Sequence, residues 1–217
     1  MSDRLEESEA RFPFDEEEPV AAAQPDIETG AEPWSDSAAI AEPSVAAAPE
    51  HAPADFELPE GVNAIEGSPR GGRRPVGIVV SRFNGAFTGR LLASALEELD
   101  RADVPRELVT VMTVPGAFEL PLAAMALAKT RRHACIVALG CVIRGETAHF
   151  ELVAAEAASG LQLAALETGV PVSFGVLTVE NAEQAEARID KAAEAVRSAL
   201  EMVDAFAQLR ATAVATG

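Results

Sequence analysis

Ala134-Cys135-Ile136-Val137-Ala138-Leu139 runs directly into Gly140-Cys141-Val142-Ile143-Arg144-Gly145-Glu146-Thr147-Ala148-His149-Phe150. The first six residues form an apolar run of strand length, and a long helical pattern begins near Phe150. Strand, glycine-bearing turn and helix start is a layout that leaves backbone N–H groups unpaired at a helix N-terminus. Those donors and the positive end of the helix dipole favour an anion. Thr147 adds a hydroxyl to the same place. His149 follows two residues later, where its ring can reach chemistry next to that anion. An ordinary strand-to-helix turn with a solvent-facing histidine satisfies the same local pattern.

Outward from this stretch the alternation repeats. Residues 75–80 read as a buried strand, Ser81-Arg82-Phe83-Asn84-Gly85 as a turn, and residues 86–101 as a helix with Leu91, Leu92, Ala95, Leu96 and Leu99 on one face. A second strand over 108–114 ends at Pro115-Gly116. A helix over 118–129 follows, with Pro121 in its first turn, where proline is tolerated. The third strand spans 134–139, and its helix runs over 150–167 and stops before Gly169. A fourth strand over 172–178 leads through Glu180-Asn181 into a last helix reaching about residue 209. Four strands alternating with four helices imply an α/β fold with a four-stranded parallel sheet covered on both faces. Arg82-Phe83-Asn84, Gly116-Ala117-Phe118-Glu119 and the stretch from Gly140 to His149 each follow the carboxyl end of a strand. In open α/β sheets that edge is where ligands bind.

The flanks differ in character. Over the 217 residues, 17 Lys and Arg face 35 Asp and Glu, a net charge of −18. Residues 1–70 account for 18 of the acidic and 3 of the basic side chains, so the acidity is concentrated in the leading segment. Residues 1–60, rich in Glu, Ala, Pro and Ser with prolines throughout, show no recurring apolar face and are expected to be a disordered acidic extension. Phe12, Phe14 and Trp34 are its large residues, read either as a short docking motif or as scattered aromatics. Residues 61–75 are expected to form a short edge strand, Val62 to Gly67, and a flexible joint, Ser68-Pro69-Arg70-Gly71-Gly72-Arg73-Arg74. Residues 76–217 then form the folded domain.

The charge argues against nucleic acid and against a polybasic membrane surface. Cys135 and Cys141 form neither a disulfide framework nor a metal-ligand spacing, so no metal site is expected and a reducing compartment suits the chain. With no basic-then-apolar leader at Met1-Ser2-Asp3-Arg4 and no apolar run of spanning length, a cytoplasmic protein is expected.

Phe83 and Phe118 sit on strand-to-helix turns, where they either stack on a flat heterocycle or staple their helices to the core. Asn84 and Glu119 beside them either bind a polar ligand or cap the helices. The pattern of the fourth strand places Phe174 in the core. Arg188 and Lys191 share a helical face and either close a phosphate site or remain surface charges. His133, beside Arg131 and Arg132 at a helix end, and His51 carry no assigned role. Neither a dinucleotide nor a nucleoside triphosphate fingerprint is present.

Ser-Arg-Phe-Asn at 81–84, Val-Pro-Gly-Ala-Phe-Glu-Leu-Pro at 114–121, Gly-Cys-Val-Ile-Arg-Gly-Glu-Thr-Ala-His-Phe at 140–150 and Gly-Val-Leu-Thr-Val-Glu-Asn-Ala-Glu-Gln-Ala at 175–185 together resemble the 6,7-dimethyl-8-ribityllumazine synthase family. The likeness spans about residues 63–209. It implies a flavodoxin-like three-layer sandwich and an enzyme of riboflavin biosynthesis. The implied reaction condenses 5-amino-6-(D-ribitylamino)uracil with 3,4-dihydroxy-2-butanone 4-phosphate, releasing phosphate and water without cofactor or metal. By the same resemblance, Phe83 stacks on the pyrimidine, with Asn84 beside it. Ala117, Phe118 and Glu119 hold the ribityl chain, and the backbone of Cys141, Val142 and Ile143 reads the pyrimidine edge. Glu146 (through its backbone), Thr147 and Arg188 bind phosphate, with Lys191 matched to a further family lysine. His149 is the proton donor, and Phe174 is the aromatic group supplied by an adjacent subunit. The resemblance further implies homopentamers or larger shells with the site shared between subunits, and an association with riboflavin synthase.

Three departures stand out. The segment between Arg188 and Lys191 is about five residues shorter than the family's, Cys141 replaces a residue more often threonine, and the acidic extension has no counterpart. The short segment and the extension leave a second reading open, a shell-forming or flavin- or lumazine-binding homologue that does not turn substrate over.

Overall fold

The computed structural model describes residues 57–215, with side chains to residue 212. Most of the acidic extension, including Phe12, Phe14, Trp34 and His51, lies outside the described residues.

The central strands form because their residues are apolar on both faces. Val76–Ser81 (β1) is buried at all six positions, and Cys135–Ile143 (β3) at its first seven. Val109–Val114 (β2) and Val172–Val179 (β4) flank them with more exposed faces. The order is β2-β1-β3-β4, and every pairing is parallel. Alternate residues of each strand point to opposite faces, which yields two cores. On one, Ile78, Val80, Val137 and Leu139 pack against Gly85–Arg101 (α1) and Lys191–Ala215 (α5) through Leu91, Leu99, Val196 and Leu200. On the other, Val79, Ile136, Ala138 and Val176 meet Leu120–Lys129 (α2) and His149–Thr168 (α3) through Leu120, Ala124, Leu161 and Ala164. The three-layer sandwich with a four-stranded parallel sheet is therefore the architecture found.

Alanines on α2 and α3 let these helices approach closely. A Cβ on Gly160 would lie 2.7 Å from Cβ of Pro121 and 2.8 Å from its Cγ. Proline cannot rotate out of the way, so Gly160→Ala should push the two helices apart. The overpacking cost of about 1–3 kcal/mol should exceed the helix-propensity gain of about 1 kcal/mol. A lower urea midpoint at unchanged slope would register the loss, whereas a raised midpoint would show that the contact yields freely.

Several expectations are corrected. Strand β3 does not stop at Leu139; it continues to Ile143, because β4 continues alongside it to Val179. Gly140 is no turn residue but a close-packing one, since a Cβ there would lie 3.1 Å from Leu120 and 3.2 Å from Val176. The turn proper is residues 144–148, and α3 starts at His149. The second helix begins with a 3-10 turn, Ala117–Glu119, before α2. The last helix is broken into Ala182–Glu186 (α4) and α5, joined by tight turns at Arg188 and Lys191. Neither Gly nor Pro marks that break.

Residues 62–67 are not an edge strand. They run as coil along α5, which offers their backbone other partners. Asp204 Oδ2 accepts from Ser68 N–H at 3.0 Å, and Gln208 Nε2 donates to the Glu66 carbonyl at 2.6 Å. Arg74 closes the clasp with its Nη2 2.5 Å from Asp204 Oδ1. Arg74 first, then Gln208 and the Ser68 amide, hold the Asp204 carboxyl below its ordinary value of 3.8. A depressed carboxyl contributes its stability above the unfolded value and loses it as pH falls through the folded one. The advantage of the native chain over Asp204→Asn should therefore stay constant above about pH 5 and close below pH 3.8. Denaturant midpoints against pH test this; a gap that persisted into strong acid would remove Asp204 from the acid response.

Candidate active site

From β1 the chain passes to β2 on one side and later to β3 on the other, so the strand order reverses between β1 and β3. Such a reversal opens a crevice at the carboxyl ends of the strands. A cavity of about 630 Å³ lies there, a size usual for small-molecule sites.

Three turns build it. After β1, Phe83 and Asn84 reach the cavity. The turn is laced to its neighbour, with Arg82 N–H donating to the Val114 carbonyl at 2.8 Å and Phe83 N–H to that of Pro115 at 3.0 Å. Held this way, the Phe83 side chain is left 70% exposed, so it does not staple α1 to the core. Asn84 takes a left-handed conformation (φ 57°), which asparagine tolerates, and does not cap α1 with its side chain. Its Nδ2 instead donates to the Cys141 carbonyl at 2.9 Å, bolting the first turn to the end of β3.

After β2, Ala117, Phe118 and Glu119 line the same cavity. Phe118 is 59% exposed and likewise free of the core. Glu119 Oε2 accepts from Gly116 N–H at 2.8 Å, so the carboxylate does cap its turn and is thereby aimed.

After β3, Cys141, Val142, Ile143, Thr147 and His149 complete the wall. His149 is the first residue of the 20-residue helix α3, and its imidazole is exposed. No side chain caps this end of the helix. His149 N–H reaches Thr147 Oγ1 only at 3.4 Å, and Leu152 N–H reaches the Ala148 carbonyl only at 3.4 Å. The first turn of α3 thus presents weakly engaged amides at the cavity, which is where an anion binds best. Burial pushes the Cys141 thiol above its ordinary range, which leaves it protonated and a poor nucleophile. The deeper Cys135 is pushed up to about 12. Among the described residues, no group of three His, Cys, Asp or Glu side chains could hold a metal ion.

Four expected site residues lie outside this cavity. Glu146 is on the turn but does not line it. Phe174 is 45% exposed on the edge strand β4, not in the core as its pattern suggested. Arg188 Nη1 donates to the Gln184 carbonyl at 3.0 Å, and Lys191 pairs with Glu194 at 2.6 Å. Conversely, Phe150, Leu152 and Val153 line the cavity from the first turn of α3, although no role was expected of them. Their position one turn into a helix that starts at the ligand edge is the signal that could have found them.

The fold and crevice define an open α/β protein whose switch-point site pairs exposed aromatic rings with an uncapped helix N-terminus, suited to a flat ring beside an anion. Residues 74–207 match the model of the family described as 6,7-dimethyl-8-ribityllumazine synthase. Proteins of that name from Yersinia pestis (strain Pestoides F) and Yersinia pseudotuberculosis (serotype O:1b, strain IP 31758) are each 46% identical over 155 residues, covering 69% of this chain and 99% of theirs. The chain belongs to the 6,7-dimethyl-8-ribityllumazine synthase family. No helix among the described residues is long and apolar enough to cross a membrane.

Proposed function

We propose that this protein condenses 5-amino-6-(D-ribitylamino)uracil with 3,4-dihydroxy-2-butanone 4-phosphate to 6,7-dimethyl-8-ribityllumazine, releasing phosphate and water. The observation that carries the reading is one crevice holding two exposed aromatic rings, an uncapped helix start and His149.

In this reading the pyrimidine lies on Phe83 and its edge meets the backbone of Cys141, Val142 and Ile143. The ribityl chain runs along Ala117, Phe118 and the aimed carboxylate of Glu119. The phosphate sits on the amides of residues 145–148 with the Thr147 hydroxyl. Holding amine and ketone together removes much of the entropic barrier to imine formation. His149 moves protons during imine formation and phosphate loss, the general acid–base work of a positioned imidazole. Amides aimed at the departing dianion stabilise it as it separates.

A site shared between copies of the chain explains the residues that stand apart. Phe174 on the outer strand supplies a second aromatic face to a neighbouring cavity, and the same assembly brings Arg188 to the phosphate. The chain has apolar surface to form it: Leu122, Leu152 and Leu166 are each more than 60% exposed. Large apolar side chains left open to water in this way are what an interface between copies would cover. The family's pentamer is the assembly proposed, with riboflavin synthase as a further partner.

Mixing both substrates with the purified protein and following lumazine fluorescence tests the activity. Absence of product from correctly assembled protein would leave a non-catalytic homologue. A native mass corresponding to one chain would remove the shared site.

A further inference from the structure

The turn that carries Thr147 and His149 makes almost no hydrogen bonds of its own, yet both residues must be held in place. Arg144 stands at its base and reaches three elements at once. Its backbone N–H donates to the Val179 carbonyl at 2.9 Å, extending the β3–β4 ladder by one step. Its guanidinium pairs with Glu151 in the first turn of α3 and, through Nε at 2.7 Å, with Glu180 beyond β4. The same guanidinium lies 4.3 Å from the centroid of Phe150, whose ring is part of the cavity wall. Both carboxyls are more than half exposed. Pairs so open to water contribute little stability, so the convergence of three contacts is better understood as geometry.

We propose that Arg144 is a positioning residue: by gripping Glu151, Glu180 and the Phe150 ring together, it fixes the 144–148 turn and the start of α3 so that phosphate seat and His149 keep their registration. This deepens the function proposed above and rests on it. Arg144 is not a phosphate ligand here, because its charge is already engaged by two carboxylates. Glu180 also opens the β4–α4 connection, where its N–H donates to Gln184 Oε1 at 3.0 Å. The grip therefore ties the His149 turn to the segment that carries Arg188. Only arginine suits the post, since a lysine cannot bridge two carboxylates and lie flat on a ring at the same time.

The test compares Arg144→Met, Arg144→Lys and Glu180→Gln with the native chain in its assembled form. Arg144→Met should raise KM for the phosphorylated substrate about tenfold and lower kcat, with KM for the pyrimidine within about twofold. Arg144→Lys should fail to restore either value, and Glu180→Gln should shift both in the same direction by less. Restoration by Arg144→Lys would mean that charge alone matters and would overturn the proposal. So would unchanged kinetics, or equal KM increases for both substrates accompanied by a lower Tm. Binding of inorganic phosphate, followed by calorimetry, separates this idea from the activity. If the native chain forms no lumazine, weaker phosphate binding by both Arg144 variants still supports the grip. Equal binding, or no phosphate binding by the native chain, overturns it.

Discussion

His149→Ala is expected to lower kcat for lumazine formation about a hundredfold, the low end of what a positioned proton donor supplies. The low end applies because the ring is exposed at the crevice mouth, where water can take over part of the proton traffic. The backbone amides of the helix start survive the substitution, and so does the aromatic platform across the cavity. KM for the pyrimidine should therefore barely move. Stability should hold as well, because truncating an exposed side chain costs less than about 0.5 kcal/mol. Kinetics at saturating concentrations of both substrates decide the matter. Full turnover in the variant would take His149 out of the reaction.

The second large effect is expected at Phe83. Its ring is 70% exposed in a turn anchored by backbone bonds to Val114 and Pro115, so nothing in the fold depends on it. An aromatic face kept in water is costly unless a ligand covers it, and a base stacked on such a ring gains about 1–3 kcal/mol. Phe83→Ala should raise KM for the pyrimidine about 10- to 100-fold, with Tm unchanged. Phe83→Tyr, which keeps the face, should bind nearly as the native chain does. Comparable KM values for the alanine and tyrosine variants would show that the ring does not carry the heterocycle.

Much of the candidate site was legible because chemistry and position coincide in the chain. Arg144 to His149, Gly116 to Glu119 and Arg82 to Asn84 each follow an apolar strand, and in a parallel sheet those strand ends must share one edge. Both phenylalanines break the pattern of their turns, which leaves stacking and stapling equally open in the sequence; their exposure at the cavity removes the staple. Phe174 was misplaced for the opposite reason. Its apolar strand suggested burial, but β4 is an outer strand, and strand order is invisible in local periodicity. Gly140 was misplaced because a missing Cβ serves a turn and a tight contact equally well; the closeness of Leu120 and Val176 settles which. The break between α4 and α5 carries no proline or glycine, and so it left no mark in the sequence.

The sequence alone determined the alternation of strand and helix, and thus a parallel sheet with its ligand edge, because apolar periodicity and turn chemistry are local properties. It also determined which residue types stand at that edge. Tertiary structure decided which of them share a cavity, which expected residues stand outside it, and that Asn84 bolts two strand ends together while Arg144 grips Glu151 and Glu180. Those contacts join residues up to 57 positions apart. Only the order and register of the strands bring such residues within reach of one another.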